Sequence, residues 1–191
     1  MGGKAEDIIR ASIAAHTKLL AQSGLIEQVA ARLTEVLRAG GTIYVMGNGG
    51  SAADAQHMAG ELLGRFMMER PGLRCVALST DTSTKTSVAN DYGFDSVFAR
   101  QVQALVKAGD AVIGISTSGN SPNVNAAVAE ARKRGALTVA LTGKDGGALA
   151  RDCELAIVVP SDVTPRIQEA HGTIIHILCG LIEEALFGPG R

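Results

Sequence analysis

Two groups of polar side chains have the residue types that proton transfer or metal binding requires. His57 and Glu61 are four residues apart in a segment with helical periodicity, so both side chains lie on one face of a helix. A carboxylate and an imidazole can exchange protons with a substrate, and both can bind a metal ion. By itself, a His–x3–Glu spacing is more typical of a solvated or hydrogen-bonded pair than of a metal site. The second group lies nearer the C-terminus and comprises Gln168, Glu169, His171 and His176.

Two segments rich in glycine and hydroxyl side chains have the composition of anion-binding loops. The first is GNGGS (47–51) and the second is STSGNSPN (116–123), and each follows a short apolar run. Glycines let the backbone approach an anion, and the helix after each loop offers free N–H groups at its N-terminus. Neither loop contains Lys or Arg, and neither matches a P-loop or a GxGxxG fingerprint. The hydroxyls of the second loop favour a phosphate monoester, whereas the first loop could equally be a structural turn.

The elements that must position these groups alternate between helices and short apolar strands. Two amphipathic helices are predicted first, over residues 6–22 and 25–39. Nearly continuous apolar strands that alternate with helices form parallel sheets covered on both faces, so the predicted class is α/β. The strands are predicted at 42–46, 73–78, 111–115, 137–141 and 155–159, and the helices between them at 52–66, 84–105, 123–134 and 146–151.

The last helix is predicted to begin with Thr164 as its N-cap and Pro165 at its first helical position. From residue 174 to 187 it is apolar on nearly every side, which indicates burial on several faces, partly by another subunit. With no repeat and no linker in the sequence, we expect residues 1–191 to form one domain, with a helical segment at 6–39 and an α/β core at 42–191.

Composition limits the classes of protein to which the chain can belong. Hydrophobic residues make up 46% of the 191, so a full core is expected. A net charge of −1, without a basic patch, argues against a nucleic-acid partner. The apolar run 173–187 is interrupted by two glutamates and is too short to span a bilayer, so no membrane segment is predicted. Three cysteines without CxxC spacing and the lack of a signal-peptide pattern predict a cytoplasmic protein.

Five motifs occur in order between residue 6 and the C-terminus: GNGGS followed by AADAQHMAGEL, the pair Asn90-Asp91, STSGNSPN, LTGKDGG, and RIQEAH followed by IIH. Together they resemble the phosphoheptose isomerase family of the sugar isomerase (SIS) superfamily, and the combination is far more specific than any one motif. The resemblance implies a flavodoxin-like αβα sandwich with a five-stranded parallel sheet (the SIS fold), preceded by N-terminal helices, and a homotetramer. The implied reaction converts D-sedoheptulose 7-phosphate to D-glycero-D-manno-heptose 7-phosphate for ADP-heptose and bacterial surface polysaccharide.

The resemblance also implies roles for individual residues. Glu61 matches the base and His176 the acid of an aldose–ketose isomerisation through an enediol. One zinc ion per subunit is implied, with His57, Glu61, Gln168 and His176 as its ligands. His171 is expected to have a structural role. The residues implied in substrate binding are Asn48, Gly49, Gly50, Ser51, Glu61, Asn90, Asp91, Ser116, Thr117, Ser118, Ser121 and Gln168.

The spacing of Gln168 and His176 conflicts with a simple four-ligand site. The two residues are eight apart, which is about 12 Å along a helix axis at ~1.5 Å per residue. Zinc bonds of about 2 Å do not close that gap within one helix. Either the two side chains come from different subunits or one of them is a weaker or outer ligand. We expect a site assembled near a subunit interface.

Two other functions remain open from the sequence. A non-catalytic SIS protein that binds a replication initiator or senses a sugar phosphate would keep the sheet and many loop residues. The complete set of His57, Glu61, Gln168 and His176 argues against it, because a binding protein needs no acid and base together. An isomerase of pentose phosphates is the enzymatic alternative. Such relatives often carry appended regulatory domains, for which we expect no room in 191 residues.

Overall fold

A computed structural model describes residues 3–189 and contains a five-stranded sheet in the order β2-β1-β3-β4-β5. All pairings are parallel, which confirms the predicted flavodoxin-like α/β fold. The central strands are buried at every position, as expected for a sheet covered on both faces. The strands are β1 (Ile43–Gly47), β2 (Cys75–Ala77), β3 (Ala111–Ser116), β4 (Leu137–Gly143) and β5 (Leu155–Val159).

Helices cover both faces of this sheet, and each face has its own hydrophobic core. Residues of α2, α3 and α8 pack in one core cluster, and residues of α4 to α7 pack in the other. The N-terminal helices that the sequence predicts are present, joined by a short 3-10 turn at Leu20–Gln22. The helices are α1 (Lys4–Leu19), α2 (Ser23–Arg38), α3 (Gly50–Leu63), α4 (Thr82–Tyr92), α5 (Ala99–Leu105), α6 (Pro122–Lys133), α7 (Gly147–Asp152) and α8 (Thr164–Phe187).

The prediction of one helix over 84–105 is wrong, because this segment is divided. Helix α4 ends at Tyr92, and Gly93 follows with φ +83°, in a region that side chains other than glycine rarely adopt. A 3-10 turn at Phe94–Ser96 then leads into α5. The periodicity continues through the break because both pieces turn an apolar side toward the same core.

The start of α8 also differs from the prediction, by one residue. Thr164 is already helical, and the extended residue Val163 is the N-cap. The carbonyl of Val163 accepts a hydrogen bond from the N–H of Ile167 at 3.1 Å, which makes Val163 the first residue in the helical ladder. Pro165 lies in the first turn, where its missing N–H is tolerated.

Helix α8 has 24 residues with a mean hydropathy of 1.3, enough by length and composition to cross a membrane. The helix is longer than the apolar run 173–187 because it begins nine residues before that run. A core helix passes the same test, and α8 packs against α2 and α3 with Ile174, Ile175 and Leu178 fully buried. The packing therefore identifies α8 as a core helix of this fold.

Candidate metal and substrate site between α3 and α8

Helices α3 and α8 pack side by side and bring three potential metal ligands together. The Nε2 atom of His57 lies 3.1 Å from Oε1 of Glu61 and 3.2 Å from Nε2 of His176. One ligand atom from each residue lies within 4.8 Å of the others. Two imidazole nitrogens and a carboxylate oxygen that converge in this way form a donor set suited to zinc. All three residues belong to one chain, so no subunit boundary is needed to bring them together.

The fourth predicted ligand, Gln168, lies apart from this triad. Its side-chain amide packs on Gly50, the first residue of α3, and a Cβ at Gly50 would overlap it. His57 follows Gly50 by seven residues and His176 follows Gln168 by eight, so the triad lies about two turns further along both helices. Gln168 therefore belongs to the first glycine loop in this structure.

The two predicted loops are joined directly by a pair of asparagines. Asn48 donates to Oδ1 of Asn123, and Asn123 donates back to Oδ1 of Asn48, both at 2.9 Å. Strands β1 and β3, which precede the loops, are neighbours at the point where the strand order reverses. Ligands of open α/β sheets bind in the crevice at such a point. Asn123 was not predicted as a site residue, and its position at the end of the STSGNSPN segment was the only signal in the sequence.

The hydroxyl loop at 116–121 is held in a tight turn before α6. The hydroxyls of Ser116 and Ser121 are 2.9 Å apart, and Ser118 Oγ accepts from the N–H of Asn120 at 3.2 Å. Ser121 is the N-cap of α6 but makes no capping hydrogen bond with its side chain. The hydroxyls of Ser116 and Ser121 therefore lie together at the N-terminus of α6, where the helix dipole favours an anion such as a phosphate. Thr117 is half-buried in the same turn.

The LTGKDGG motif supports this loop from the neighbouring strand. Gly119 has φ +65°, and a Cβ at this position would overlap the carbonyl of Gly146. Gly147 makes a similarly close approach to Gly119, and the N–H of Leu149 donates to the Gly119 carbonyl at 2.9 Å. The glycines of the motif thus let the two loops pack backbone to backbone.

The remaining predicted residues have different surroundings. Gly49 has φ +55° at the N-cap of α3, and Ser51 is buried in the first turn. Asn90 and Asp91 are exposed near the end of α4, where Asn90 donates to Asp91 at 2.8 Å. Within residues 3–189 no hydrogen bond links this pair to the triad or to either loop. Their role in substrate binding therefore stays a prediction.

His171 has the structural position predicted for it. It is fully buried, and its Nε2 lies 3.1 Å from the carbonyl oxygen of Thr142. Burial lowers the pKa of His171 to about 4, because the charged imidazolium would lose its hydration, and the hydrogen bond to Thr142 opposes this only in part. His171 is therefore neutral near pH 7 and takes no part in the triad.

Asp54 is a further acidic residue beside the site that the sequence did not single out. It lies one turn before His57 on α3, and its Oδ2 is buried without a hydrogen-bond partner among the described residues. Burial raises the pKa of Asp54, and nearby His57 opposes the shift. In the sequence, the signal was that Asp54 precedes His57 by three residues. This spacing became informative only when the structure showed how α3 packs.

Comparison with known proteins assigns the chain to a family. Residues 7–143 match the SIS domain model. The phosphoheptose isomerase of Trichlorobacter lovleyi is 57% identical over 85% of this chain and 83% of its own length. That of Geobacter sp. strain M21 is 53% identical over 96% of this chain and 98% of its own length.

Solved structures agree with these relatives. Phosphoheptose isomerase GmhA from Neisseria gonorrhoeae superimposes with a TM-score of 0.90 at 44% identity, over 95% of this chain and 97% of its own. The enzyme from Francisella tularensis gives 0.91 at 40% identity with the same coverage. The NanR protein of Vibrio vulnificus, at 14% identity and a TM-score of 0.71, shares the fold alone.

Proposed function

The chain belongs to the phosphoheptose isomerases of the SIS domain family, and we propose that its substrate is D-sedoheptulose 7-phosphate and its product D-glycero-D-manno-heptose 7-phosphate. It is an aldose–ketose isomerase. The observation that carries the assignment is the convergence of His57, Glu61 and His176 in a chain 53–57% identical to named phosphoheptose isomerases.

The phosphate of the substrate is bound by the hydroxyl loop and the N-terminus of α6. With C–C bonds of about 1.5 Å, an extended seven-carbon chain spans roughly 8 Å. Along α3, His57 lies about 11 Å and Glu61 about 16 Å beyond Gly50, so the seven-carbon chain covers only part of the distance from the loops to Glu61. Side chains on a helix lean toward its N-terminus, and in this way His57 and Glu61 are proposed to reach toward the substrate. The residues proposed to bind the substrate are Asn48, Gly49, Gly50, Ser51, Glu61, Ser116, Thr117, Ser118, Ser121 and Gln168, with Asn90 and Asp91 as further candidates.

Glu61 and His176 are proposed to move the protons. The Glu61 carboxylate removes a proton from C1 of the ketose, while His176 donates a proton to the carbonyl oxygen at C2, which gives a 1,2-enediol. Return of the carbon-bound proton to C2 and loss of the proton on the C1 hydroxyl then yield the aldose. A positioned acid or base of this kind contributes about 10²- to 10⁴-fold in rate.

One zinc ion per chain fits the donor chemistry of the triad. His57, Glu61 and His176 would hold it, and when bound it would polarise the carbonyl oxygen of the substrate in place of His176, because a ring nitrogen that binds zinc cannot donate a proton. Glu61 offers Oε1 toward His57, which leaves its second oxygen for the proton. Gln168, predicted as the fourth ligand, would have to leave Gly50 to join, so we assign it first to the substrate.

We further propose a cytoplasmic homotetramer with active sites near subunit interfaces, in the biosynthesis of ADP-heptose and surface polysaccharide. Large apolar side chains exposed on α1, Ile9 and Ile13, and on α8, Ile177, offer surface for subunit contacts. The free thiols of Cys75 and Cys179 are buried and suit a reducing compartment.

The decisive experiment follows proton exchange at C1 and C2 of sedoheptulose 7-phosphate by NMR, with chelator and then with added zinc. We expect exchange together with appearance of the aldose, loss of both on chelation, and recovery with zinc. An exchange rate that does not change when the chelator is added would show that a metal ion takes no part in the reaction. Tight binding of the sugar phosphate without any exchange would favour a non-catalytic SIS protein instead.

A further inference from the structure

The segment that follows α3 is attached to α8 by a buried carboxylate. Glu183 accepts hydrogen bonds from three successive backbone N–H groups, those of Phe66 (3.1 Å), Met67 (2.7 Å) and Met68 (2.9 Å). It also accepts from Nε of Arg70 at 2.8 Å, and both charged side chains are only 1% exposed. Four donors on one buried carboxylate fix the path of this segment.

Arg70 completes the attachment from the other side. Its guanidinium donates to the carbonyls of Glu61 and Leu62, each at 2.9 Å, and to those of Gly64 and Pro71 at 3.3 and 3.1 Å. A buried ion pair is favourable only when its remaining hydrogen-bonding groups are satisfied, as they are here. The pair therefore connects the backbone of Glu61 on α3 to the helix that carries His176.

The attached segment places an aromatic ring against the triad. The ring of Phe66 lies 5.5 Å from that of His176, tilted by 31°. Gly180, one turn beyond His176, lies beside the same ring, and a Cβ there would meet Phe66 at an ordinary contact distance of 3.5 Å. The edge of His57 approaches at 4.8 Å and 90°. The exposed His176 imidazole thus lies against two rings, one from Phe66 and one from His57.

We propose that Phe66, held by the Glu183–Arg70 pair, is a positioning residue for His176. Packing of its ring restricts the imidazole to the rotamer in which Nε2 faces His57 and Glu61. It also shields one face of the imidazole from water. This inference rests on the proposed function, because the rotamer affects function only through the metal binding and proton transfer of the triad.

The test replaces the ring and measures zinc binding to metal-free protein without any sugar phosphate. In Phe66→Leu we expect zinc affinity, from competition with a chromophoric chelator, to fall about tenfold, within the range known for residues that support metal ligands. Phe66→Tyr keeps the ring and should retain wild-type affinity. Met67→Leu is the matched control, because Met67 is in the same segment with 77% of its surface exposed. Unchanged affinity in Phe66→Leu would overturn the proposal.

Two further measurements separate positioning from general stability and from the substrate assignment. In the isomerase assay, Phe66→Leu should lower kcat while KM stays within about twofold, because the loops that bind the phosphate are untouched. In crystals of metal-free Phe66→Leu, we expect His176 in more than one rotamer, and a single wild-type rotamer would contradict the proposal. If sedoheptulose 7-phosphate is not isomerised but zinc affinity still falls, only the substrate assignment fails.

Discussion

The side-chain amides of Asn48 and Asn123 bind each other through two hydrogen bonds of 2.9 Å, one in each direction. The pair joins the end of β1 to the start of α6, so the two loops keep a fixed separation although the asparagines are 75 positions apart in the sequence. Asn123 is 1% exposed, and its hydrogen bonds are therefore shielded from water. The proposed phosphate site thus depends on a residue that need not touch the substrate itself.

Asn123→Ala should weaken substrate binding and lower stability. Asn48 would lose its donor and its acceptor together, and a lost buried hydrogen bond costs about 1–3 kcal/mol. We expect KM for sedoheptulose 7-phosphate to rise about tenfold, with a smaller change in kcat, and urea unfolding to show the stability loss. An unchanged KM in a destabilised variant would mean that the pair supports only the fold.

Glu61→Gln should abolish turnover while leaving the fold intact. Removal of the base is expected to slow proton exchange at C1 and C2 by about 10²- to 10⁴-fold, measured by NMR in deuterated buffer. Binding of the phosphate end of the substrate should persist, because the loops are unaltered. Glu69→Gln is the control, since Glu69 is a nearby carboxylate that is 93% exposed. Wild-type exchange in Glu61→Gln would remove Glu61 as the base.

Mixing two inactive variants should not restore activity. Glu61 and His176 belong to the same triad within one chain, so each subunit of a mixed oligomer of Glu61→Gln and His176→Gln lacks one of them. The measurement is the isomerase rate after the two variants are unfolded and refolded together. Recovery of a substantial fraction of wild-type activity would show that the working site combines residues of two chains.

Ser118→Ala and Ser121→Ala should raise KM more than they lower kcat, because they bind the end of the substrate that does not react. A hydrogen bond to a charged group contributes about 1.5–3 kcal/mol, which corresponds to roughly ten- to a hundredfold in KM. Ser87→Ala, which removes an exposed hydroxyl on α4, serves as the control. Steady-state kinetics that show a loss of kcat alone would contradict the phosphate assignment.

The buried His171 should make stability depend on pH. Its folded pKa of about 4 lies below the ordinary value of 6.5, so between these values the unfolded chain binds a proton that the folded chain does not. The free energy of unfolding is not reduced by His171 above pH 6.5. As the pH falls from 6.5 to 4, protonation of His171 in the unfolded chain lowers this free energy by about 3 kcal/mol in total. His171→Gln can still donate to Thr142 but does not titrate. Urea unfolding of both proteins across this range should show a flatter profile for the variant, and parallel profiles would exclude His171 as the cause.

The sequence by itself determined the class of fold and the positions of its elements. Strands buried on both faces leave continuous apolar runs, and β5 is found at the predicted residues 155–159, with the other strands shifted by one or two residues at some ends. The hydroxyl loop was recognisable because Ser and Thr at this density are not needed for a turn. The shared face of His57 and Glu61 follows from helical periodicity alone. These features are local, so a short stretch of residue types encodes them.

Only the tertiary structure decided which of these features meet. His176 reaches His57 across 119 residues because α3 and α8 pack together on one face of the sheet. The same packing separates Gln168 from the triad and buries Glu183 against Arg70, whereas the neighbouring strands β1 and β3 bring Asn48 to Asn123. Such contacts cannot be predicted from local periodicity, because they depend on how the sheet positions whole helices and loops.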